Sequence, residues 1–282
     1  MKRLFRLRFV TLAAVITAFI VQGCKVNTQN SDVLYKNVKH EEITPIADVK
    51  GAPRCKVNID LLYVDPALGE FARKFNREIV TTVFGSEYSE MVPEQAVEAF
   101  THKFETEYAS EARPAYEQQV ADGASPEELQ GWFNYEYQLE TNCAPGAFNT
   151  LNYESLYFTF MGGAHPSNYR TWIVVDAETG QRLGYKDFYK EGTEKEVLAL
   201  VAKYFVKLKN RQHPELNLHT LKDLSENGIL LADELVIPEN VCLSKLGAQF
   251  YYNPYEVSPY SEGGLEVTVP YEEIKQYLKE RD

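Results

Sequence analysis

The sequence predicts an α+β fold of two small subdomains, each a mostly antiparallel sheet with packed helices. Three observations support this prediction. Some segments alternate apolar and polar residues, others space apolar residues at helical intervals, and hairpin turns join the strands in place of regular strand–helix–strand units. A chain of 282 residues is long enough for one large domain or two small ones with substantial cores.

The predicted elements follow one another without repeats. Apolar residues occupy every second position from Arg54, as in a half-buried strand, and then fall at helical spacing over 68–83 until Gly85. The remaining elements are a helix from Pro93 that Pro114 ends or kinks, strands at 132–142 and 149–161 around a turn at 144–146, a strand at 169–176 that folds back through Leu183, a helix opened by a Thr193/Glu196 capping box, a short helix near 221–227, strands at 249–252 and 265–269, and a helix at 271–279.

The N-terminus indicates export. Four basic residues within 2–8 precede an apolar run from Phe9 to Val21 and the tetrapeptide Val21-Gln22-Gly23-Cys24. This pattern is typical of a lipoprotein signal peptide, since the run is shorter than the roughly 20 apolar residues of a membrane span. We therefore expect a signal peptide at 1–23, a lipid on Cys24, and a bacterial envelope protein that faces the periplasm rather than the cell surface.

Residues 24–52 are largely polar and without periodic apolar character, which predicts a flexible tether between the lipid and the folded body. The charge of the body argues against nucleic acid as a partner. The whole chain carries −12, and removal of 1–23 with its four basic and no acidic residues leaves −16. Phosphate backbones require basic patches. An acidic body can instead attract cationic partners, or the charge can serve solubility alone.

With Cys24 lipidated, three cysteines remain in a compartment that permits disulfides. Cys55 and Cys143 lie on strands of the same predicted sheet, so we expect them to form a disulfide and leave Cys242 free. No Cys-x-x-Cys pair or neighbouring His indicates zinc, and we expect no metal or cofactor.

Catalytic signatures are absent from the sequence. It contains no Gly-x-Ser-x-Gly, no phosphate-binding glycine loop, no Ser-x-x-Lys and no His pair three or four residues apart. The acidic cluster Glu105, Glu107 and Glu111 is typical of a solvated helix face. We therefore predict a protein that is not an enzyme.

Two motifs stand out as candidate binding segments. In Gly162-Gly163-Ala164-His165-Pro166, two glycines permit unusual backbone angles and hold His165 on a stiff bend, although turn chemistry alone also explains the motif. The segment from Tyr251 to Tyr260 places tyrosines on a proline-stiffened backbone, which suits either recognition or a loop that covers a core. The predicted ligand-binding residues are Gly163, His165, Pro166, Tyr255, Pro259 and Tyr260.

These motifs, with Asp176-Ala177-Glu178-Thr179-Gly180 between them, resemble the extracytoplasmic domain of RsiV-type anti-sigma factors. The preceding strand, helices and hairpin are similar to the companion domain that also stands ahead of the catalytic domain in PdaC-type peptidoglycan deacetylases. The resemblance implies a PdaC N-terminal-like domain at 53–160, an RsiV C-terminal-like domain at 161–282, and a non-catalytic role that includes lysozyme binding. No sigma-binding or deacetylase segment accompanies them, so only fold and binding are carried over.

The sequence thus favours a lipid-anchored envelope protein that binds lysozyme or a peptidoglycan fragment. A wall-polymer hydrolase with carboxylates gathered in space, or a structural subunit of an envelope complex, are the alternatives. An apolar-walled cleft with two acids near His165 would indicate the enzyme, whereas a tyrosine-rich rim would indicate binding.

Overall fold

The computed structural model describes residues 25–28 and 31–280, and its α+β architecture confirms the predicted fold class. Across this part of the chain, the strands form two sheets. The larger contains, in spatial order, β1 (Lys25–Thr28), β2 (Ser31–Pro45), β3 (Arg54–Val64), β4 (Tyr135–Pro145), β5 (Thr150–Met161), β6 (Ser167–Asp176) and β7 (Arg182–Leu183). The smaller contains β8 (Asn240–Leu243), β9 (Ala248–Tyr252) and β10 (Leu265–Val269), in the order β10-β9-β8.

Helices cross over between two parallel strands of the larger sheet. β3 and β4 run parallel, with Cys55 opposite Tyr135, whereas the other neighbouring strands of that sheet are antiparallel. Parallel neighbours need a long connection, which the first three helices supply. The helices of the structure are α1 (Glu70–Phe84), α2 (Pro93–Ala121), α3 (Gln130–Phe133), α4 (Tyr185–Phe188), α5 (Glu194–Gln212), α6 (Leu221–Glu226) and α7 (Tyr271–Ile274).

The first core lies between the larger sheet and the helices α1 and α2. The predicted alternation in β3 is confirmed, because Val57, Ile59 and Leu61 are fully buried while Asn58 is exposed. Phe75 of α1 packs edge-on against Tyr153 of β5, with ring centroids 5.9 Å apart. Apolar burial on one face thus holds strands and helices together.

The second core lies on the opposite face of the larger sheet. Val197, Val201 and Phe205 recur every four residues along α5 and are fully buried among side chains that include those of β9 and β10. β6 contributes to both cores, because successive strand residues point to opposite faces. Ile173 and Val175 of β6 belong to the first core, and Trp172 and Val174 belong to the second.

Two side-chain amides, those of Asn240 in β8 and of Asn253 just after β9, bind the edge of β6. Asn240 Oδ1 accepts the Trp172 backbone N–H at 2.9 Å, and Asn253 Oδ1 accepts the Arg170 N–H at 2.8 Å. Both amide groups donate in return to the Arg170 carbonyl, at 3.1 and 3.0 Å. These amides replace the backbone partners that a further strand would have supplied.

The prediction of a flexible tether is wrong for residues 31–52. β2 pairs along β3 from Tyr35, opposite Val64, to Pro45, opposite Arg54. Tyr35 is buried and its hydroxyl lies 3.3 Å from Cys143 Sγ. Backbone hydrogen bonds to the strongly apolar strand β3 hold β2 in place. The strand could not be predicted from its own composition, which is mostly polar.

The helix α2 also departs from the sequence prediction, because Pro114 does not end it and the helix continues to Ala121. The predicted capping box at α5 is not formed either. Thr193 precedes the helix, but its hydroxyl donates to the Lys190 carbonyl at 2.7 Å. In the β4–β5 hairpin the tight turn follows Pro145, with Phe148 and Asn149 at positive φ.

The predicted Cys55–Cys143 disulfide is wrong. Both thiols are buried and free, as is that of Cys242. Cys55 lies opposite Tyr135 on the neighbouring strand, and Cys143 lies eight residues further along that strand. At about 3.3 Å per residue the two sulfur-bearing positions are about 26 Å apart, far beyond the reach of a disulfide at about 7 Å.

The predicted boundary after residue 160 falls within β5, one residue before its end at Met161, and β5 and β6 are paired in the same sheet. Residues 1–23 and Cys24, the predicted signal peptide and lipid site, lie outside the described residues. Among the residues that are described, no helix has both the length and the apolar character needed to cross a membrane.

Candidate functional site

The two motifs singled out in the sequence come into contact at the connection between β5 and β6. The ring of His165 stacks on that of Tyr260, with centroids 5.7 Å apart and planes inclined by 28°. Tyr260 stacks in the same way on Tyr255, again at 5.7 Å and 28°. The Tyr260 hydroxyl also donates to the Pro166 carbonyl at 3.3 Å. We call the rings of His165, Tyr260 and Tyr255 the Tyr–His stack.

A close backbone approach shapes the bend that carries His165. Gly162 and Gly163 both have positive φ, at 77° and 95°. A Cβ on Gly162 would overlap the carbonyl oxygen of Trp132, whereas one on Gly163 would meet open space. Gly162 is therefore required by space and by backbone angle, and Gly163 by backbone angle alone.

Tyr255 is held in a conformation that residues with a side chain avoid. Its φ is 70°, in the left-handed region, and 64% of its surface is exposed. Its backbone N–H donates to the Ser258 carbonyl at 3.1 Å, which closes a tight turn. Residues with a strained backbone cluster at functional sites, which makes Tyr255 a candidate functional residue.

Several contacts hold the segment 253–264, which we call the strap, between β9 and β10. Asn253 is fixed to β6 as described above, and the Leu231 N–H donates to the Val257 carbonyl at 2.9 Å. Near the other end, Glu262 accepts from the ammonium group of Lys209 at 2.6 Å. Lys209 belongs to α5, and only 4% of its side chain is exposed. The strap is therefore tied to the rest of the molecule along its length.

Of the six predicted binding residues, four take part in the stack or its hydrogen bond, and two do not. His165, Tyr255 and Tyr260 form the stack, and the Pro166 carbonyl anchors it. Gly163 is exposed on the bend, and Pro259 precedes the short turn that carries Tyr260.

A small cleft of about 210 Å³ opens beside the stack. The described residues that line it include no Asp or Glu. It is lined by His165, Pro166, Ser167, Asn168, Tyr169, Pro254, Tyr255 and Tyr260. Nor do the described parts of the chain gather three or more His, Cys, Asp or Glu side chains in a position to hold a metal ion.

A larger cleft of about 610 Å³ lies on the other side of Tyr260, between the larger sheet and the strap. Its lining residues come from β4, β5, β6 and β9 as well as the strap, so no single sequence motif could have predicted this cleft. Arg170 contributes to its wall and lies 4.6 Å from the ring centroid of Tyr251. Burial raises the pKa of Tyr251 although the guanidinium opposes the shift, so this phenol stays neutral at physiological pH.

Comparison with known proteins places this site in a fold that has been seen before. Residues 186–272 match the family described as "Protein of unknown function (DUF3298)". The structure is similar to that of a DUF3298 family member from Bacteroides fragilis, with a TM-score of 0.75, 22% identity, and coverage of 88% of this chain and 94% of the other. It is also similar to a DUF3298 family protein from Pseudomonas aeruginosa, with a TM-score of 0.57, 17% identity, and coverage of 89% and 97%.

These likenesses establish a shared fold over nearly the whole described body, well beyond the matched segment. No curated protein matches the sequence. The likeness to RsiV-type and PdaC-type domains stays a prediction, and the role of the site has to be argued from its own chemistry.

Proposed function

We propose that the protein is a non-catalytic binding protein of the bacterial envelope that engages its ligand through the Tyr–His stack. The observation that carries the proposal is the exposed ring of Tyr255 on a left-handed backbone, backed by two further rings. Rigid, exposed aromatic side chains supply much of the contact energy in protein interfaces and lose little entropy on binding.

A binding role is favoured over hydrolysis by the chemistry beside His165. Glycoside hydrolysis uses two carboxyl groups that flank the scissile bond. The small cleft offers imidazole, phenol and amide groups from the residues that line it, and no carboxylate from the described chain. Hydrogen-bonding rings at a rim suit recognition.

Lysozyme is the ligand we propose first, and a peptidoglycan fragment is the alternative. The resemblance to RsiV-type domains supports lysozyme, and so does charge. An acidic chain of net −12 attracts a cationic protein over long range, and salt weakens that attraction. Lipid attachment at Cys24 is part of the same proposal, and its test is the loss of lipid labelling in Cys24→Ala.

The test is a titration of the purified protein with hen lysozyme at low and at physiological salt. We expect Tyr255→Ala and Tyr260→Ala to weaken binding at least about tenfold through faster dissociation. Leu246→Ala is the matched control, because Leu246 is 79% exposed and lies in the β8–β9 turn, at the other end of β9 from the strap.

Two results would contradict the proposal. One is the absence of measurable affinity for lysozyme or peptidoglycan fragments at low salt. The other is turnover of a wall polymer that a single carboxylate substitution abolishes, because it would make the protein a hydrolase. Equal binding by the Tyr255→Ala variant and the Leu246→Ala control would move the interface away from the stack.

A further inference from the structure

We infer that the large cleft between the larger sheet and the strap is a second binding site, for a neutral carbohydrate chain. The cleft has a volume of about 610 Å³, within the roughly 300–1,000 Å³ of small-molecule sites. It shares four lining residues with the small cleft beside the stack, namely Asn168, Tyr169, Pro254 and Tyr260, whereas His165 and Tyr255 line only the small cleft. This inference does not depend on the proposed lysozyme binding.

The floor of the cleft is a regular array on the sheet. Strand register places Gln138, Phe158 and Asn168 side by side in one row across β4, β5 and β6. The next row, two residues along, holds Glu140, Leu156 and Arg170. Residues two apart on a strand point to the same face, so Phe158 and Leu156 form an apolar column on β5 between polar side chains of β4 and β6.

Part of this floor lies outside the two cores. Phe158 and Leu156 belong to neither core, and Leu156 is 38% exposed. The opposite wall adds the rings of Tyr251 and Tyr260. Apolar and aromatic side chains together with a few polar groups are the usual lining of a small-molecule site.

The charge of the cleft argues against an anionic ligand. Among the described residues that line it, Arg170 is the cationic one. Its guanidinium lies 3.1 Å from Glu154 and 2.9 Å from Glu266, so two carboxylates neutralise it and fix its position over Tyr251. The other polar groups that line the cleft include the neutral amides of Gln138 and Asn168 and the carboxylates of Glu140 and Glu262, which would repel an anion.

A sugar chain matches this surface better than a peptide does. A pyranose ring has apolar C–H faces that pack on aromatic rings, and its rim of hydroxyl groups bonds to amides and carboxylates. A bound peptide strand needs the free backbone groups of a sheet edge. This cleft presents a sheet face, where side chains and not backbone groups are available.

The experiment is calorimetric titration of the purified full-length protein with the hexamer of N-acetylglucosamine and with cellohexaose. We expect measurable binding of at least one of them, weakened at least about tenfold by Phe158→Ala and by Gln138→Ala, because neither residue lines the small cleft. Phe148→Ala is the matched control, since Phe148 lies in the β4–β5 turn against Tyr271 and does not line the cleft.

The outcomes separate the two sites. Sugar binding that Phe158→Ala weakens and Tyr255→Ala leaves unchanged supports the inference, whether or not lysozyme binds. Absence of binding to both sugars overturns it, as does binding that Phe158→Ala and Phe148→Ala weaken equally. Binding of an apolar or anionic peptide in place of sugar also overturns it.

Discussion

The backbone at Tyr255 gives a sharp test of the idea that the strap trades stability for display of a ring. We expect Tyr255→Gly to be more stable than Tyr255→Ala, the reverse of the usual order. At φ 70° a residue with a Cβ costs about 1–2 kcal/mol, which glycine avoids. Glycine also makes the unfolded chain more flexible, which lowers the free energy of unfolding by about 0.4–1 kcal/mol relative to alanine. The net difference is about 1 kcal/mol in favour of glycine.

Loss of the ring enters both variants equally. The Tyr255 side chain is mostly exposed, so its stacking on Tyr260 contributes near the lower end of the roughly 0.5–1.5 kcal/mol of an aromatic pair. Tyr255→Ala is therefore expected to lose about 0.5 kcal/mol, and Tyr255→Gly to equal or exceed the original protein. Both should lose affinity for the ligand of the stack.

The assay is urea unfolding followed by circular dichroism, with Tyr169 as the matched control. Tyr169 stacks on Tyr157 at 5.5 Å and 27°, much as Tyr255 stacks on Tyr260, but it lies in the extended strand β6. There, Tyr169→Gly should be less stable than Tyr169→Ala by about 0.5–1 kcal/mol. The same order of Gly and Ala at both positions would refute the reasoning.

Three further predictions concern stability. Glu262→Ala should lower the free energy of unfolding in urea by about 3 kcal/mol, because it leaves the buried Lys209 ammonium group without its partner. Lys209→Met should cost less, because the partly exposed carboxylate of Glu262 can be hydrated. Equal losses in the two variants would contradict this prediction. Gly162→Ala should unfold at a lower urea concentration than Gly163→Ala. Both alanines are destabilised by the positive φ, but only the Cβ at residue 162 would overlap the Trp132 carbonyl. Identical unfolding midpoints would exclude that overlap. Burial raises the pKa of the thiols of Cys55, Cys143 and Cys242 to about 12. The stability that these neutral thiols contribute is complete below pH 9 and should decline as the pH rises from 9 towards 12, because unfolding then allows them to ionise. An unchanged urea midpoint over that pH range would refute this prediction.

Elements with strong apolar periodicity could be predicted from the sequence. The alternation in β3 fixes which side chains face the core, and the structure buries them as expected. In α1 the helical spacing correctly places Phe75 and Ile79 in the core, whereas Leu68, at the start of the predicted face, precedes the helix and is 39% exposed. β2 could not be predicted, because few of its residues are buried and its position depends on pairing with β3. Composition carries no information about a partner strand.

Spatial arrangement explains the other successes and failures. The bend at His165 and the strap at Tyr260 carry strong local signals, and the structure brings them into contact. The disulfide failed because strand register, which sequence does not give, separates Cys55 from Cys143. The large cleft was missed because its lining comes from strands whose side-chain rows exist only after pairing.

Because β6 contributes side chains to both cores, it bears on which part of this protein can fold independently. The segment 186–272 that matches a family begins after β6 and so leaves out Trp172 and Val174. Excised by itself, that segment would expose the apolar surface that these two side chains cover, and Asn240 and Asn253 would lose their partners on β6. We therefore expect the matched segment not to fold by itself, and the smallest fragment expected to keep the strap in place includes the larger sheet.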